Sequence, residues 1–313
     1  MIDVLLALYN GEKYLNELLN SLENQTYKEW RLIAADDGST DNTLEIIKNF
    51  AEKSFHEVEI HVNKPATGSA KENFMSLFQY VKSPYVMFCD QDDVWLDDKI
   101  EITLEKMIET EKIYGTETPV LINTDLKVVD SELNIIDESF SHYLDTDKNF
   151  TLREQLVLNK VAGCSIMFNK SLCEYIQRKK IDASKILMHD SWVMLIALCF
   201  GHVNVVDKST ILYRQHSSNS VGANDVRKFS YVIKRIFSRG DNAKQNMDHI
   251  NDAKYFYETY RDELENNPDK NLIKNYSELA NKSRNAYRLF CIKNKVLKTP
   301  FKRALGQLIF AHK

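Results

Sequence analysis

Apolar runs of strand length alternate with helical patterns over roughly the first ninety residues. The first run, Ile2 to Leu8, has the apolar character expected for a strand that is buried on both faces. Three further predicted strands follow: Trp30 to Ala35, Val58 to Asn63 and Tyr85 to Asp90. Because short connections separate each strand from the intervening helix, the pattern predicts an α/β domain with a mostly parallel sheet and right-handed crossovers.

The rest of the chain divides into two regions. Strand and helix patterns continue to about residue 222 and include an apolar helix from Ser191. Beyond that point the sequence is charged and helix-forming, with Pro268 and Pro300 as its main breaks. We therefore expect an α/β domain over residues 1–222 and a helical C-terminal region over residues 223–313.

The cysteines and the lengths of the apolar runs predict the cellular compartment of the protein. The five cysteines are scattered and never spaced CxxC, which argues against a disulfide framework or a zinc site and for a reducing compartment. The N-terminus enters a strand without a basic segment or a cleavage site. The longest apolar run, Trp192 to Phe200, is far too short to span a bilayer. We expect a cytoplasmic protein that does not cross the membrane.

Positive charge is concentrated at the C-terminal end. Residues 284–313 contain eight Lys or Arg and no Asp or Glu. A basic segment that also carries aromatic residues is typical of contact with an anionic surface, such as a membrane, a nucleic acid or a protein partner.

Polar clusters follow each of the four predicted strands, at the sheet edge where open α/β sheets bind ligands. Tyr9 could stack on a nucleobase or simply pack. Asp37 could accept from a base imide N–H or cap the next helix. Lys71 could meet a phosphate or be solvated. The chain has neither GxGxxG nor GxxxxGK[ST], which disfavours a Rossmann dinucleotide site and a P-loop.

Three carboxylates stand directly after the fourth strand, in "DQDD". Asp90 and Asp92 have the D-x-D spacing with which hard oxygen ligands hold Mg²⁺ or Mn²⁺ on a diphosphate. The alternative is an acidic first turn of the following helix, which explains Asp93 but not all three residues.

Two later segments carry candidate site residues. Asp190 precedes a nearly wholly apolar helix, with His189 and Trp192 beside it, and is a candidate general base or an ordinary helix cap. His216 lies in a polar loop after the last strand, where it could complete a metal shell or be an idle surface histidine.

Taken together, residues 1–222 resemble family 2 glycosyltransferases with the GT-A fold. The motifs "LYNGEKYLNELLNSLENQTY", "ADDGSTDNT", "DQDDVW", "AGCSIMF" and "HDSW" occur in the family's order and spacing. "DQDDVWLDDKIE" and "YRQHSSNSVG" look most like bacterial rhamnosyltransferase-type enzymes that build capsular, cell-wall or O-antigen polysaccharides.

The resemblance implies a role for each candidate residue. It implies a nucleotide pocket lined by Ala7, Tyr9 and Asp37, with Asp90 near the ribose, although Ala7-Leu8 replaces the family's frequent Pro-Thr. Asp92 matches the ligand of the divalent ion, Mn²⁺ or Mg²⁺. The resemblance also implies a metal role shared by Asp93 and His216 and general base catalysis by Asp190. Phosphate contact by Lys71 and an acceptor side formed by Trp95, His189 and Trp192 complete the predicted site.

The implied reaction is an inverting single displacement. Its donor is a nucleoside-diphosphate sugar, dTDP-rhamnose or a UDP-sugar, and its acceptor is a glycan or a polyprenyl-diphosphate-linked sugar. On this view residues 284–313 lie on the cytoplasmic leaflet near a lipid-linked acceptor, or instead complete a homodimer. No nucleic-acid motif accompanies them. The rival functions are a sugar-phosphate nucleotidyltransferase, whose Gly-rich loop is missing, and a non-catalytic sugar-binding module.

Overall fold

Nine strands form one sheet in the computed structural model, which describes residues 1–216 and 239–311. The strands are β1 (Ile2–Leu8), β2 (Trp30–Asp36), β3 (Val58–Val62), β4 (Tyr85–Asp90), β5 (Val94–Trp95), β6 (Val120–Val129), β7 (Ile135–Asp137), β8 (Ile166–Asn169) and β9 (His202–Arg214).

The α-helices of the described ranges alternate with the strands along the chain or follow the last strand. They are α1 (Leu15–Glu23), α2 (Thr43–Lys53), α3 (Ala70–Leu77), α4 (Lys99–Tyr114), α5 (Phe140–Tyr143), α6 (Leu152–Gln155), α7 (Lys170–Gln177), α8 (His189–Phe200), α9 (Arg239–Thr259), α10 (Lys270–Ser277), α11 (Arg284–Asn294) and α12 (Phe301–Ile309). None of these helices is both long enough and apolar enough to span a bilayer.

The predicted α/β fold is confirmed, and its parallel pairing is concentrated in the first four strands. The strand order is β3-β2-β1-β4-β8-β6-β9-β5, with β7 paired to β6. β3, β2, β1 and β4 are parallel because α1, α2 and α3 provide the crossovers between them. Among the later pairs, β6 with β9 is parallel, whereas β4 with β8, β8 with β6, β6 with β7 and β5 with β9 are antiparallel.

The main core lies under α1, β1 and β2. Both strands are almost fully buried along their length, as expected for strands covered on two faces. One face of α1 buries Leu15, Leu18 and Leu22 in that core, at the spacing of an amphipathic helix. This packing fixes the positions of the loops that follow β1 and β2.

The described residues form two compact units. Unit 1 contains residues 1–140, 161–183 and the chain from Gly201 to the end of the first described range, and it holds the whole sheet. Unit 2 contains residues 141–160 and 184–200 together with the C-terminal helices. The sequence did not indicate that these two internal segments group with the C-terminal helices. The expected domain boundary after residue 222 lies outside the described residues.

Candidate functional site

The carboxyl ends of β1, β2 and β4 bring three predicted residues to one edge of the sheet. In the parallel register, Ala7 of β1 lies between Ala35 of β2 and Asp90 of β4. Asp37 directly follows β2, and its backbone N–H donates to the carbonyl of Leu8 at 2.9 Å. Ala7, Asp37 and Asp90 are therefore neighbours at the edge where such sheets bind ligands.

Gln91 joins the tips of β1 and β4. The backbone N–H of Tyr9 donates to Gln91 Oε1 at 2.9 Å, and Gln91 Nε2 donates to the Tyr9 carbonyl at 2.8 Å. A Cβ atom on Gly11 would lie 2.4 Å from the same Oε1, so a larger residue there would displace the Gln91 side chain from its bonds to Tyr9. The pairing fixes the backbone of Tyr9 but leaves its side chain 57% exposed, which makes the ring available to a ligand.

The loops after β1 and β2 are joined by side-chain hydrogen bonds. Asn10, which has a φ of 47°, accepts from the backbone N–H of Thr40 at 2.8 Å. Its own N–H donates to Ser39 Oγ at 3.0 Å, and the N–H of Gly11 donates to Thr43 Oγ1 at 2.7 Å. The loop after β1 and the loop after β2 therefore hold each other in place.

Asp37 is buried, and it organises the segment after β3. Its oxygens accept from the backbone N–H groups of Thr67 (2.6 Å) and Gly68 (2.8 Å), and from the side chains of Thr67 (3.0 Å) and Asn63 (3.0 Å). Burial acts to raise the pKa of Asp37, but these hydrogen bonds outweigh it and hold the pKa below its ordinary value. The sequence did not indicate this role, since the alternative considered there was a cap of the next helix.

The predicted metal residues Asp92 and His216 lie together. Asp92 Oδ2 and His216 Nε2 are 2.7 Å apart, and both side chains are mostly buried. The ring of Tyr14, from the start of α1, lies 5.0 Å from the imidazole between ring centroids. The carboxylate oxygen at the tip of β4 is the type of ligand that suits Mg²⁺ or Mn²⁺, and the imidazole nitrogen beside it is the type that binds transition-metal ions.

A second group of potential ligands lies beside them. Ligand atoms of Asp90, Asp93 and Cys164 are all within 4.8 Å of one another. Asp93 Oδ2 is buried and accepts no hydrogen bond from an N–H or O–H group of the described residues. Burial, and then the charges of Asp92 and Asp90, raise the pKa of Asp93 well above its usual range, and burial also raises that of the Cys164 thiol. A carboxylate so placed fits a neighbouring cation, whereas a protonated thiol is a poor ligand.

Arg214 is a residue of this cluster that the sequence analysis missed. Its side chain is buried, its Nε donates to the carbonyl of Asp92 at 2.8 Å, and its backbone N–H donates to Asp93 Oδ1 at 3.0 Å. The guanidinium also pairs with Glu17 and lies 4.3 Å from the centre of the Tyr14 ring. The only sequence signal was its place in "YRQH", two residues before His216.

Two other predicted residues of unit 1 occupy different surroundings. Trp95 is buried, and Lys99 Nζ lies 4.7 Å from its ring, so its position gives no support to the predicted acceptor contact. Lys71 lies in the first turn of α3, after β3, and is partly buried.

The remaining predicted residues, His189, Asp190 and Trp192, belong to unit 2 and lie in the first turn of α8. All three are buried. Asp190 Oδ1 accepts from the backbone N–H of Ser191 at 2.6 Å, a position in which the helix dipole favours the carboxylate. Burial lowers the pKa of His189 to about 3, so this imidazole is neutral. Trp192 packs in the core of unit 2, so its position gives no support to the predicted contact with the acceptor.

Comparison with known proteins identifies the family. The sequence model of glycosyl transferase family 2 matches residues 3–175, more than half of the chain. The dTDP-rhamnosyl transferase RfbG of Shigella flexneri is 30% identical over 237 residues, which cover 72% of this chain and 76% of that one. The UDP-Glc:alpha-D-GlcNAc-diphosphoundecaprenol beta-1,3-glucosyltransferase WfgD of Escherichia coli is 28% identical over 109 residues, 35% of this chain and 42% of that one.

A solved structure shows the same fold. S. aureus TarS 1-349 in complex with UDP-GlcNAc aligns with a TM-score of 0.56 at 15% identity, covering 99% of this chain and 90% of that one. At that identity the likeness concerns the fold alone. The family match and the identity with the Shigella relative show what the fold is used for: the chain belongs to glycosyl transferase family 2 and is a glycosyltransferase that acts on nucleotide sugars.

Proposed function

We propose that this enzyme transfers a sugar, with rhamnose favoured, from a dTDP- or UDP-sugar to a hydroxyl of a glycan or polyprenyl-diphosphate-linked acceptor, with inversion. The similarity to a protein named dTDP-rhamnosyl transferase supports the donor, since it extends over 72% of the chain. The name of the Escherichia coli relative contains a UDP-sugar and a diphosphoundecaprenol, which supports the broader substrate class. The product would belong to a bacterial surface polysaccharide. Neither rival function, nucleotidyltransferase or binding module, has a supporting observation.

The observation that carries the site is the contact between Asp92 and His216 at the tip of β4. It lies next to Asp90, which is itself beside Ala7 in the sheet register. Residues separated by more than a hundred positions are thus assembled at the edge where the nucleotide of such a fold is expected.

Asp92 and His216 would hold a divalent cation, Mn²⁺ or Mg²⁺, with Asp90 and Asp93 as further oxygen ligands. When bound, such an ion supplies a positive charge that stabilises a departing diphosphate. The chain's own contribution is to fix the ligands. Arg214 donates to the backbone carbonyl of Asp92 and to Oδ1 of Asp93. The other oxygen of Asp93, Oδ2, accepts no hydrogen bond from an N–H or O–H group of the described residues.

The nucleotide would contact Tyr9, Ala7 and Asp90, with Lys71 as a phosphate contact. Tyr9 is the most available of these because its ring is exposed on a fixed backbone. Asp37 already accepts four hydrogen bonds, which is the usual capacity of a carboxylate. It can therefore accept from a base imide only by sharing or losing a bond to the segment around Thr67.

Asp190 would be the general base that removes the proton of the acceptor hydroxyl. Asp190 lies in the first turn of α8, where the backbone N–H of Ser191 donates to its carboxylate and the helix N-terminus favours negative charge. A base that takes this proton makes the hydroxyl oxygen a nucleophile toward the anomeric carbon, and attack opposite the leaving group inverts its configuration.

Binding measurements test the metal and nucleotide site. We expect dTDP or UDP to raise the melting temperature of the wild type in Mn²⁺ but not in EDTA, since a ligand at a hundredfold excess over its Kd stabilises by about 2.7 kcal/mol. Asp92→Asn and His216→Ala should abolish the Mn²⁺-dependent shift. Asp262→Asn, at an exposed position of unit 2, is the matched control and should retain it. A full shift in Asp92→Asn would contradict the metal assignment.

Turnover measurements test the base. Asp190→Asn and Asp92→Asn are each expected to reduce turnover at least ~100-fold, the lower end of what a positioned base supplies. Asp190→Asn should keep the metal-dependent nucleotide shift, which separates a lost base from a lost fold. Wild-type turnover in both variants would contradict the assignment of Asp190 as the base and of Asp92 as a metal ligand.

A further inference from the structure

The last two helices of the described chain expose apolar side chains at helical spacing. On α12, Phe301, Leu305 and Ile309 recur every four residues and are 80%, 49% and 50% exposed. On α11, Leu289 and Ile292 are 67% and 57% exposed. We call these five residues the apolar face. Its members are large aliphatic or aromatic side chains, which a soluble protein rarely groups on exposed helices without a partner.

Hydrogen bonds join α11 and α12, so the two helices that carry the apolar face are fixed relative to each other. The Arg288 guanidinium of α11 donates to the carbonyls of Leu308 (2.8 Å) and Ile309 (3.3 Å) at the end of α12. On the inner side, Gln307 of α12 donates to Tyr287 Oη (3.1 Å) and to the carbonyl of Val296 (3.1 Å). Ile292 is one turn after Arg288, so the exposed side of α11 borders the end of α12.

Exposed cations lie on the same two helices as this face or directly after α11. Arg284, Lys293, Lys295 and Lys302 are exposed, and within the described chain none of them forms an ion pair. Lys298 and Arg303, by contrast, are buried and belong to the interior of the unit. Residues 284–313 contain no carboxylate side chain that could neutralise the four exposed cations.

We propose that the apolar face and its flanking cations bind the surface of an anionic lipid bilayer, with α11 and α12 lying in the plane of the interface. The chemistry of the two parts matches the two layers of such a surface: apolar side chains enter the acyl boundary, while Lys and Arg contact anionic head groups. This inference goes beyond the proposed function, because it concerns neither the donor site nor the transferred sugar.

Two other occupants fit less well. A second copy of the chain would place like charges against each other, because a two-fold contact pairs a surface with itself. A single-stranded nucleic acid would match the cations, but its bases stack on aromatic rings and the face has only Phe301.

Vesicle sedimentation with the full-length protein tests the proposal. We expect binding to vesicles of equal parts phosphatidylcholine and phosphatidylglycerol, weak binding to phosphatidylcholine alone, and a decrease at high salt. Phe301→Ser should weaken binding roughly tenfold or more, and Lys302→Gln roughly fivefold. The matched controls are Phe55→Ser and Lys48→Gln, which alter an exposed phenylalanine and an exposed lysine of unit 1 and should bind like the wild type.

Several outcomes would overturn the proposal. Failure of the wild type to bind anionic vesicles is one, and equal binding by Phe301→Ser and Phe55→Ser is another. A wild-type dimer that becomes monomeric in Phe301→Ser by light scattering would assign the face to a second copy. Tighter binding to single-stranded RNA than to vesicles would assign it to nucleic acid. The nucleotide-induced shift in melting temperature is measured without vesicles, so it distinguishes failure here from failure of the donor site.

Discussion

Lys99 is a buried cation with no hydrogen-bond partner in the described residues. Its Nζ lies over the ring of Trp95, and the titratable groups that act on it are Cys164, Cys89 and Asp93. Burial lowers its pKa from 10.5 to about 8, against the smaller opposing effect of those three groups. The sequence shows this lysine only as one charge in the helix start "WLDDKIE", which reads as a solvated turn.

The burial of Lys99 predicts a specific pH dependence of stability. The unfolded chain binds a proton at Lys99 up to about pH 10.5, whereas the folded chain loses it from about pH 8, so this residue makes stability rise between those values. We expect Lys99→Met to remove that rise, which amounts to about 3 kcal/mol over the interval. The measurement is chemical denaturation in EDTA from pH 7 to pH 10.5, and Lys48→Met is the exposed control. Parallel profiles for wild type and Lys99→Met would contradict the prediction.

Individual site residues were predictable from sequence where one strand end fixes them. Ala7 and Asp90 lie at the ends of predicted strands and Asp37 follows another, and the structure places the three together. Arg214 was not predictable, because its partners come from distant segments: Glu17 in α1 and Asp92 after β4. The same holds for the hydrogen bonds of Asp37 with the segment around Thr67, which only tertiary packing creates.

At the scale of elements, a buried ion pair joins β1 and β2 at the end opposite the site. Asp3 accepts from Arg31 Nε (2.7 Å) and Nη2 (3.0 Å), and both side chains are buried. The backbone N–H groups of Lys82 and Ser83, just before β4, also donate to Asp3. Burial acts to raise the pKa of Asp3, but Arg31 and the other donors outweigh it and lower the pKa. One carboxylate therefore organises three strands.

Removing the charge of Asp3 should destabilise the sheet. We expect Asp3→Asn to lower the free energy of unfolding by about 3 kcal/mol at pH 7, because Arg31 loses its one fully buried anionic partner and keeps only the more exposed Glu57 and Glu59. A carboxylate with a lowered folded pKa stabilises above its unfolded pKa of about 3.9, and this contribution is lost as pH falls through the folded pKa. The difference between wild type and variant, measured by urea denaturation, should therefore shrink in acid. Asp262→Asn should change stability by less than about 0.5 kcal/mol; an equal effect of the two variants would show that the pair contributes nothing.

The elements themselves were predicted unevenly. β1 and β4 have the bounds that their apolar runs indicated, since a strand buried on both faces has a clear sequence pattern. β5 was missed because its two residues, Val94 and Trp95, pair with β9 far along the chain and carry no pattern of their own. The antiparallel pairs of β4 with β8, β8 with β6 and β5 with β9 were also not predicted, because strand direction there depends on connections that periodicity does not reveal.

At the scale of the whole molecule, the C-terminal helices complete the core around α8. Trp192 of α8 packs against Phe256 and Tyr260 of the C-terminal region, with ring centroids 5.2 and 6.0 Å apart. Asn267 donates to the carbonyl of Cys199 at 2.6 Å, at the other end of α8. The sequence suggested a helical appendage, because charged residues on the outer faces of these helices conceal the buried aromatic ones.

This packing predicts that a fragment of residues 1–222 is not a stable protein. It would keep α8 but lose the aromatic side chains that cover Trp192, and each such loss in a core costs about 3–5 kcal/mol. Two or three of them equal the 5–15 kcal/mol that stabilises a typical domain. We expect the fragment to bind the dye ANS, to melt without a cooperative transition and to be cut rapidly by protease within residues 184–200. The full-length chain, and its surface variant Phe301→Ser, should resist cleavage there. A fragment that melts cooperatively and protects α8 as the full chain does would show that residues 239–311 are dispensable for this core.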